Sequence, residues 1–195
     1  MGKLILVMGG VRSGKSSFAE QLTSAQGDEK LLYIATGQAW DDEMRERIRL
    51  HQNRRKEKWL TLEEAEDLPG LIRSLHDNPE ERVGSHNISA ILVETFTGWI
   101  ANLMMSMPED QLSKAETKQA FQNKVAACLD AIRGLDVTWI IVSDEVGLGG
   151  VASTKLGRSF QDIAGYANQL LASFANEVYF VVAGIPMNIK GASHS

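Results

Sequence analysis

Cysteine occurs once in 195 residues, at Cys128, so one chain cannot close a disulfide on itself. No apolar stretch approaches the roughly 20 residues of a membrane span. Basic excess is also missing: the formal net charge is −5, against the positive surface that tracking a nucleic-acid backbone demands. The first residues run straight into a strand pattern with no signal-peptide arrangement, which leads us to expect a soluble, cytoplasmic protein without nucleic-acid partner or membrane span. Disorder is excluded by 44% hydrophobic and 23% charged residues, near the globular average. That length and composition suit one domain, expected over residues 1–190, with a flexible tail at 191–195 that has no apolar anchor.

Short β-rich runs alternate with helical patterns, the signature of parallel strands joined by helical crossovers. The fold class expected is α/β, a doubly wound, mostly parallel sheet of the P-loop NTPase (RecA-like) type. Strands are read at Lys3–Met8, Leu31–Ala35, Ala90–Val93, Val137–Val142 and Val178–Val182, nearly uninterrupted apolar runs that suit strands covered on both faces. The clearest helix runs from about Ser153 to Ala175, with Leu156, Phe160, Ile163, Ala167, Leu170, Leu171 and Phe174 on one core-facing stripe. Cys128 falls on another apolar face, with Phe121, Val125, Leu129 and Ile132, and reads as buried filler. Pro69, Gly70, Asn78, Pro79 and Gly84-Ser85 break up the middle third.

Behind the apolar run Leu4-Ile5-Leu6-Val7-Met8 stands Gly9-Gly10-Val11-Arg12-Ser13-Gly14-Lys15-Ser16, followed by a helical pattern from Ser16 to Ala25. This is a complete G-x-x-x-x-G-K-S phosphate loop between strand and helix. Its glycines let backbone N–H groups converge on phosphates, Lys15 brings a positive charge to the β/γ oxygens, and the Ser16 hydroxyl can ligate Mg²⁺. A nucleoside triphosphate is the ligand this implies.

Ligands of open parallel sheets lie at the carboxyl ends of the strands, and those ends are polar here. They read Thr36-Gly37-Gln38, Glu94-Thr95 and Ser143-Asp144-Glu145. Glu94 is the candidate metal-positioning carboxylate, with the alternative that it is an ordinary strand-end group and that Thr95 or Thr97 caps the next helix. Glu145, ahead of Gly147-Leu148-Gly149-Gly150, reads equally as a base, a water-positioner or part of a flexible loop. A basic helix is expected from Asp41 to about Lys56, with Arg47 and Arg55 one turn either side of His51. Its charges alone suit a solvated amphipathic helix. They also allow His51 to stay neutral and nucleophilic, with guanidinium groups stabilising a phosphoryl group under attack.

The segments Gly9 to Ser16, Tyr33-Ile34-Ala35-Thr36-Gly37-Gln38-Ala39-Trp40-Asp41-Asp42-Glu43-Met44, Arg47-Ile48-Arg49-Leu50-His51, Asp144-Glu145-Val146-Gly147-Leu148-Gly149 and Phe160-Gln161-Asp162-Ile163-Ala164-Gly165-Tyr166-Ala167-Asn168-Gln169 occur in one order across nearly the whole chain. Together they resemble the bifunctional adenosylcobinamide kinase / adenosylcobinamide-phosphate guanylyltransferase family.

That resemblance implies phosphorylation of the aminopropanol hydroxyl of adenosylcobinamide, then transfer of GMP from GTP onto the new phosphate by way of a guanylylated histidine. His51 stands at the histidine's position. Implied catalytic residues are His51, Lys15 and Glu94, with Mg²⁺ on Ser16 and Glu94. Implied nucleotide contacts are Gly9, Gly10, Val11, Arg12, Ser13, Gly14, Lys15 and Ser16, then Ala35, Thr36 and Gly37, then Gln52, Asn53, Arg54 and Arg55, and finally Glu63 and Glu94. Glu63 by itself reads as a helix-start carboxylate. GTP, possibly ATP, and a corrinoid are the implied substrates, and a homotrimer the implied assembly.

The chain departs from the family pattern at Lys56, Thr95, Asp144, Ala152 and Gln161, where proline, cysteine, asparagine, proline and arginine are frequent. Two other classes fit the phosphate loop alone: a simple small-molecule kinase without covalent nucleotide, and a recombinase-like switch or motor driven by hydrolysis.

Overall fold

A computed structural model describes residues 2–27, 29–37 and 58–191. The helix expected at Asp41 to Lys56, with His51, Gln52, Asn53, Arg54 and Arg55, lies outside the described residues, as does the tail from 192 onward. In chain order the elements are β1 (Leu4–Gly9), α1 (Lys15–Ser24), β2 (Lys30–Ala35), β3 (Trp59–Glu63), α2 (Leu68–Asp77), α3 (Pro79–Val83), β4 (Ile88–Glu94), α4 (Phe96–Met105), α5 (Ala115–Arg133), β5 (Thr138–Asp144), α6 (Lys155–Phe174), β6 (Glu177–Val182) and β7 (Ile185–Lys190). The strands form one sheet in the order β3-β2-β4-β5-β1-β6-β7, parallel except for β7.

The apolar runs work because alternate residues feed two cores. Leu4, Leu6, Leu32, Ile34, Ile91, Val93, Trp139 and Ile141 pack against residues of α2, α4, α5 and α6. Their neighbours Ile5, Val7, Leu31, Tyr33, Ala90, Leu92, Ile140 and Val142 pack, among the described residues, against α1. Trp99 is fully buried, edge-on to Phe96, and its indole N–H donates to Glu66 O. Cys128 is buried as expected, and desolvation pushes its thiol far above the ordinary range.

Five strands stand where the apolar runs place them, within a residue or two at each end. Two others carry weaker signals. Trp59-Leu60-Thr61-Leu62-Glu63 is the edge strand β3, parallel to β2, so Glu63 is a strand-end residue and not a helix start. The helix begins only at Leu68, where Asp67 accepts from Gly70 N, and Pro69 sits in its first turn, where a missing N–H costs nothing. Thus Pro69 and Pro79 each open a helix. Strand β7 is exposed throughout and antiparallel to β6, and Pro186 is tolerated because the strand is at the edge. Ala183 (φ 50°) and Gly184 (φ 79°) make the tight turn that returns it. Phe174, expected in the core stripe of α6, is 39% exposed and is covered by the Arg133 guanidinium, 4.1 Å from the ring centre.

A candidate phosphate site at the carboxyl edge of the sheet

The phosphate loop turns from β1 into α1 through two positions that need glycine. A Cβ on Gly9 would meet Ser13 Oγ at 2.5 Å and Val181 O at 2.6 Å. Gly14 has φ 94°, and a Cβ there would lie 3.0 Å from Gly184 Cα. Ser13 N donates to Gly10 O (3.2 Å), and Gly184 N of the β6–β7 turn donates to Ser13 O (2.7 Å), so the far edge of the sheet braces the loop. No side chain caps α1, which leaves its first amides and the helix dipole for an anion.

Lys15 is buried, its side chain 9% exposed. Its Nζ donates to Gly10 O at 3.2 Å and pairs with Asp144 Oδ1 at 2.8 Å. Asp144 ends β5, the strand directly beside β1, and the register sets it opposite Gly9. It is held firmly. The Thr97 hydroxyl donates to Asp144 Oδ2 (2.6 Å) and accepts from Asp144 N (3.0 Å), while Asn168 Nδ2 donates to Asp144 O (2.9 Å). Ser143 Oγ in turn donates to Asn168 Oδ1 at 2.5 Å. Strand β5, α4 and α6 therefore converge on one carboxylate facing the phosphate-loop lysine.

Glu94 stands at the same edge but two strands from β1, about 10 Å across the sheet. One of its oxygens accepts from the Tyr33 hydroxyl at 3.3 Å. Thr95 caps α4 through Gly98 N, which leaves Thr97 to lock Asp144. Glu145 has both oxygens occupied, Oε1 by Gly147 N and Oε2 by Leu148 N, each at 2.8 Å. That arrangement fits a loop anchor better than a free base.

The remaining candidates spread along the edge. Ala35 ends β2; Thr36 is fully buried and donates its hydroxyl to Thr95 O (2.7 Å), while Gly37 is exposed. Glu63 is exposed on β3, four strands from β1 and about 19 Å from the phosphate loop. Gly10, Val11, Arg12 and Ser13 lie in the loop itself, with Arg12 at φ 59°, and Ser16 is in the first turn of α1. Asp144 is the residue that strand-end reading did not separate from Glu145. Its signal was present in the parallel pairing, since the strand next to β1 delivers its last side chain to Lys15. Gln161, where the family frequently has arginine, has a role the sequence does not show. Its amide binds three backbone groups of the 146–152 loop: Nε2 donates to Val146 O and Gly150 O (2.7 Å each), and Oε1 accepts from Ala152 N (2.9 Å).

Among the described residues no cluster of three or more His, Cys, Asp or Glu side chains is placed to hold a metal by itself, and no helix is long and apolar enough to cross a membrane.

The family model for cobinamide kinase / cobinamide phosphate guanyltransferase matches residues 5–189. Among curated relatives, the bifunctional adenosylcobalamin biosynthesis protein CobU of Escherichia coli (strain K12) is 39% identical over 192 residues, covering 96% of this chain and 99% of that protein. CobP of Pseudomonas aeruginosa, which carries the same description, is 38% identical over 186 residues, covering 95% of this chain and 96% of its own length. Among solved structures, the RadB recombinase overlays 92% of this chain and 74% of its own at a TM-score of 0.48 and 14% identity.

Proposed function

Because the chain belongs to the cobinamide kinase / cobinamide phosphate guanyltransferase family, over nearly its whole length, we propose that it is a bifunctional enzyme of cobalamin biosynthesis. It phosphorylates adenosylcobinamide on the aminopropanol hydroxyl and then transfers GMP from GTP to the new phosphate. The observation that carries this reading is the Gly9–Ser16 loop, with Lys15 buried beneath it and Asp144 locked against the lysine, in a chain matched from residue 5 to residue 189.

In the first step the acceptor hydroxyl oxygen bonds to the γ-phosphorus, the bond to the β-bridging oxygen breaks, a nucleoside diphosphate leaves, and the hydroxyl proton is released. Lys15 and the first amides of α1 hold the charge that spreads over the γ oxygens. In the second step a nitrogen of His51 bonds to the α-phosphorus of GTP and pyrophosphate leaves. An oxygen of cobinamide phosphate then displaces His51 and carries off GMP. The oxygen donors fit Mg²⁺: the Ser16 hydroxyl and the carboxylates of Asp144 and Glu94 lie at one edge, and Mg²⁺ takes few protein ligands beside phosphate oxygens. When bound, the ion neutralises phosphate charge. In this reading Glu94, one of whose carboxylate oxygens accepts from the Tyr33 hydroxyl, would help hold the ion or orient the acceptor hydroxyl. GTP serves both steps in this reading, ATP the first as well, and a homotrimer is the working assembly.

The test incubates the chain with GTP, Mg²⁺ and adenosylcobinamide and follows the corrinoid by mass spectrometry. Cobinamide phosphate followed by its GDP derivative is the expected series. Hydrolysis of GTP indifferent to corrinoid would sink the reading in favour of a switch or motor. Cobinamide phosphate alone would leave a simple kinase.

Asp144 leads to a separate expectation. A triphosphate arriving at Lys15 meets this carboxylate, which Thr97 prevents from turning away, so binding depends on a cation to offset the repulsion. Asp144→Asn is expected to tighten magnesium-free GTP binding by about tenfold, equivalent to about 1.4 kcal/mol. It should also flatten the dependence of binding on Mg²⁺, read by calorimetric titration with and without the ion. Unchanged magnesium-free affinity would show that Asp144 does not oppose the phosphates.

A further inference from the structure

The segment Val146–Ala152 carries three glycines, yet it is tied down at Val146, Gly147, Leu148, Gly150 and Ala152. Gln161 on α6 clasps Val146 O, Gly150 O and Ala152 N with one amide. The Glu145 carboxylate holds the Gly147 and Leu148 amides, and Glu145 N donates to Gly9 O of the phosphate loop at 3.0 Å. Arg158 adds bonds to Ala152 O and Ser153 O at 3.1 and 2.9 Å. Ordering a glycine-rich loop costs conformational entropy, and this one spends that order on holding aliphatic side chains in water. Leu148 is 77% exposed and Val151 84% exposed, with Val11 of the phosphate loop 83% exposed. Val151 also lines a cleft of about 330 Å³ between α5 and α6, with Lys155, Arg158, Gln161 and the Lys118–Asp162 ion pair (2.7 Å) in its walls.

We propose that this clasped loop and the cleft behind it are the docking face for the corrinoid acceptor, with Gln161 as the positioning residue that sets the loop. The proposal rests on the enzymatic reading above and adds where the acceptor sits. Three features select this occupant. The loop starts where β5 ends, beside Lys15 and Asp144, so a molecule lying on it can bring a hydroxyl to a γ-phosphate held by the phosphate loop. Triphosphate gains nothing from Leu148 and Val151, whereas a corrin ring has an aliphatic periphery that does. That ring also bears amide arms, whose carbonyls suit the ammonium of Lys155 and the Arg158 N–H groups beyond the nitrogen that holds Ala152 O and Ser153 O, in a cleft sized for side arms and not for the whole macrocycle. Where arginine is frequent at position 161 in the family the chain resembles, glutamine here serves the loop.

The test uses the full chain and adenosylcobinamide. Leu148→Ser/Val151→Ser removes the aliphatic contacts at exposed positions where folding is not at stake. At saturating GTP, KM for adenosylcobinamide is expected to rise about tenfold while kcat changes less than about threefold, the loss of a contact made equally in ground and transition states. GTP affinity without corrinoid should hold within about twofold. Gln161→Ala, which frees the loop, should move KM the same way, and Gln161→Glu should follow it because a carboxylate cannot donate to Val146 O and Gly150 O. An unchanged KM in the double variant beside a normal wild type overturns the docking face alone. A change of oligomeric state with unchanged KM overturns it too, and reassigns the aliphatic residues to subunit contact. A wild type that neither binds nor phosphorylates adenosylcobinamide overturns the enzymatic reading, and the docking face with it.

Discussion

Lys15→Ala should lose phosphorylation and guanylyl transfer together, each by about 10³-fold or more, since the proposed function routes both reactions through one phosphate loop. The lysine is not a surface charge that water can replace. Its side chain is 9% exposed and its ammonium group sits between Gly10 O and Asp144 Oδ1. Removing it withdraws the positive charge from the β/γ oxygens and leaves the Asp144 carboxylate facing the triphosphate without its partner, so attraction turns to repulsion. Lys15→Arg should not rescue, since a planar guanidinium needs more room than this buried position offers and aims its donors differently. The measurements are initial rates of the two half-reactions and the GTP dissociation constant, with circular dichroism to establish folding. Guanylyl transfer that survived in a folded Lys15→Ala chain would show that the α-phosphate is attacked at a different site.

His51→Ala should separate the activities. Guanylyl transfer is expected to fall by on the order of 10⁴-fold or more, the scale on which loss of a covalent nucleophile is felt, while cobinamide phosphate accumulates at a rate within a few-fold of wild type. Incubated with GTP and Mg²⁺ without corrinoid, the wild-type chain should gain the mass of one acid-labile GMP and the variant should not, read by intact-protein mass spectrometry. No adduct on the wild type, with GTP binding demonstrated, would make the chain a kinase without covalent intermediate. Equal loss of both activities in the variant would give the histidine a positioning role for the nucleotide instead of a nucleophilic one.

Much of the architecture was legible in the order of residues, for identifiable reasons. Strands buried on both faces must be apolar at nearly every position, which is why Leu4–Gly9, Lys30–Ala35, Ile88–Glu94 and Thr138–Asp144 stand out from their surroundings, and the half-buried Glu177–Val182 stands out by its run of valines and aromatics. The two edge strands escaped because an edge imposes no such demand. Strand β3 is half-exposed, and β7 is exposed throughout and contains Pro186. Phe174, in the last turn of α6, left the core stripe and lies under the Arg133 guanidinium.

The phosphate loop, its lysine and its serine were readable from spacing alone, since a loop that wraps phosphates with backbone amides needs glycine at set positions and a cation at its end. Sequence by itself determined that a phosphate loop of the triphosphate-binding pattern stands at the carboxyl edge of a parallel sheet, and its motif order placed the chain beside one family. Which carboxylate meets Lys15 was decided only by tertiary structure. Adjacency in a parallel sheet follows the order of strands in space, and β5, far along the chain, lies directly against β1 while β4 lies one strand further away. The same holds for Gln161. An amide that clasps Val146, Gly150 and Ala152 is an ordinary polar residue until the fold brings α6 beneath the loop, because three hydrogen bonds to backbone groups of a preceding segment leave no periodic trace in the sequence.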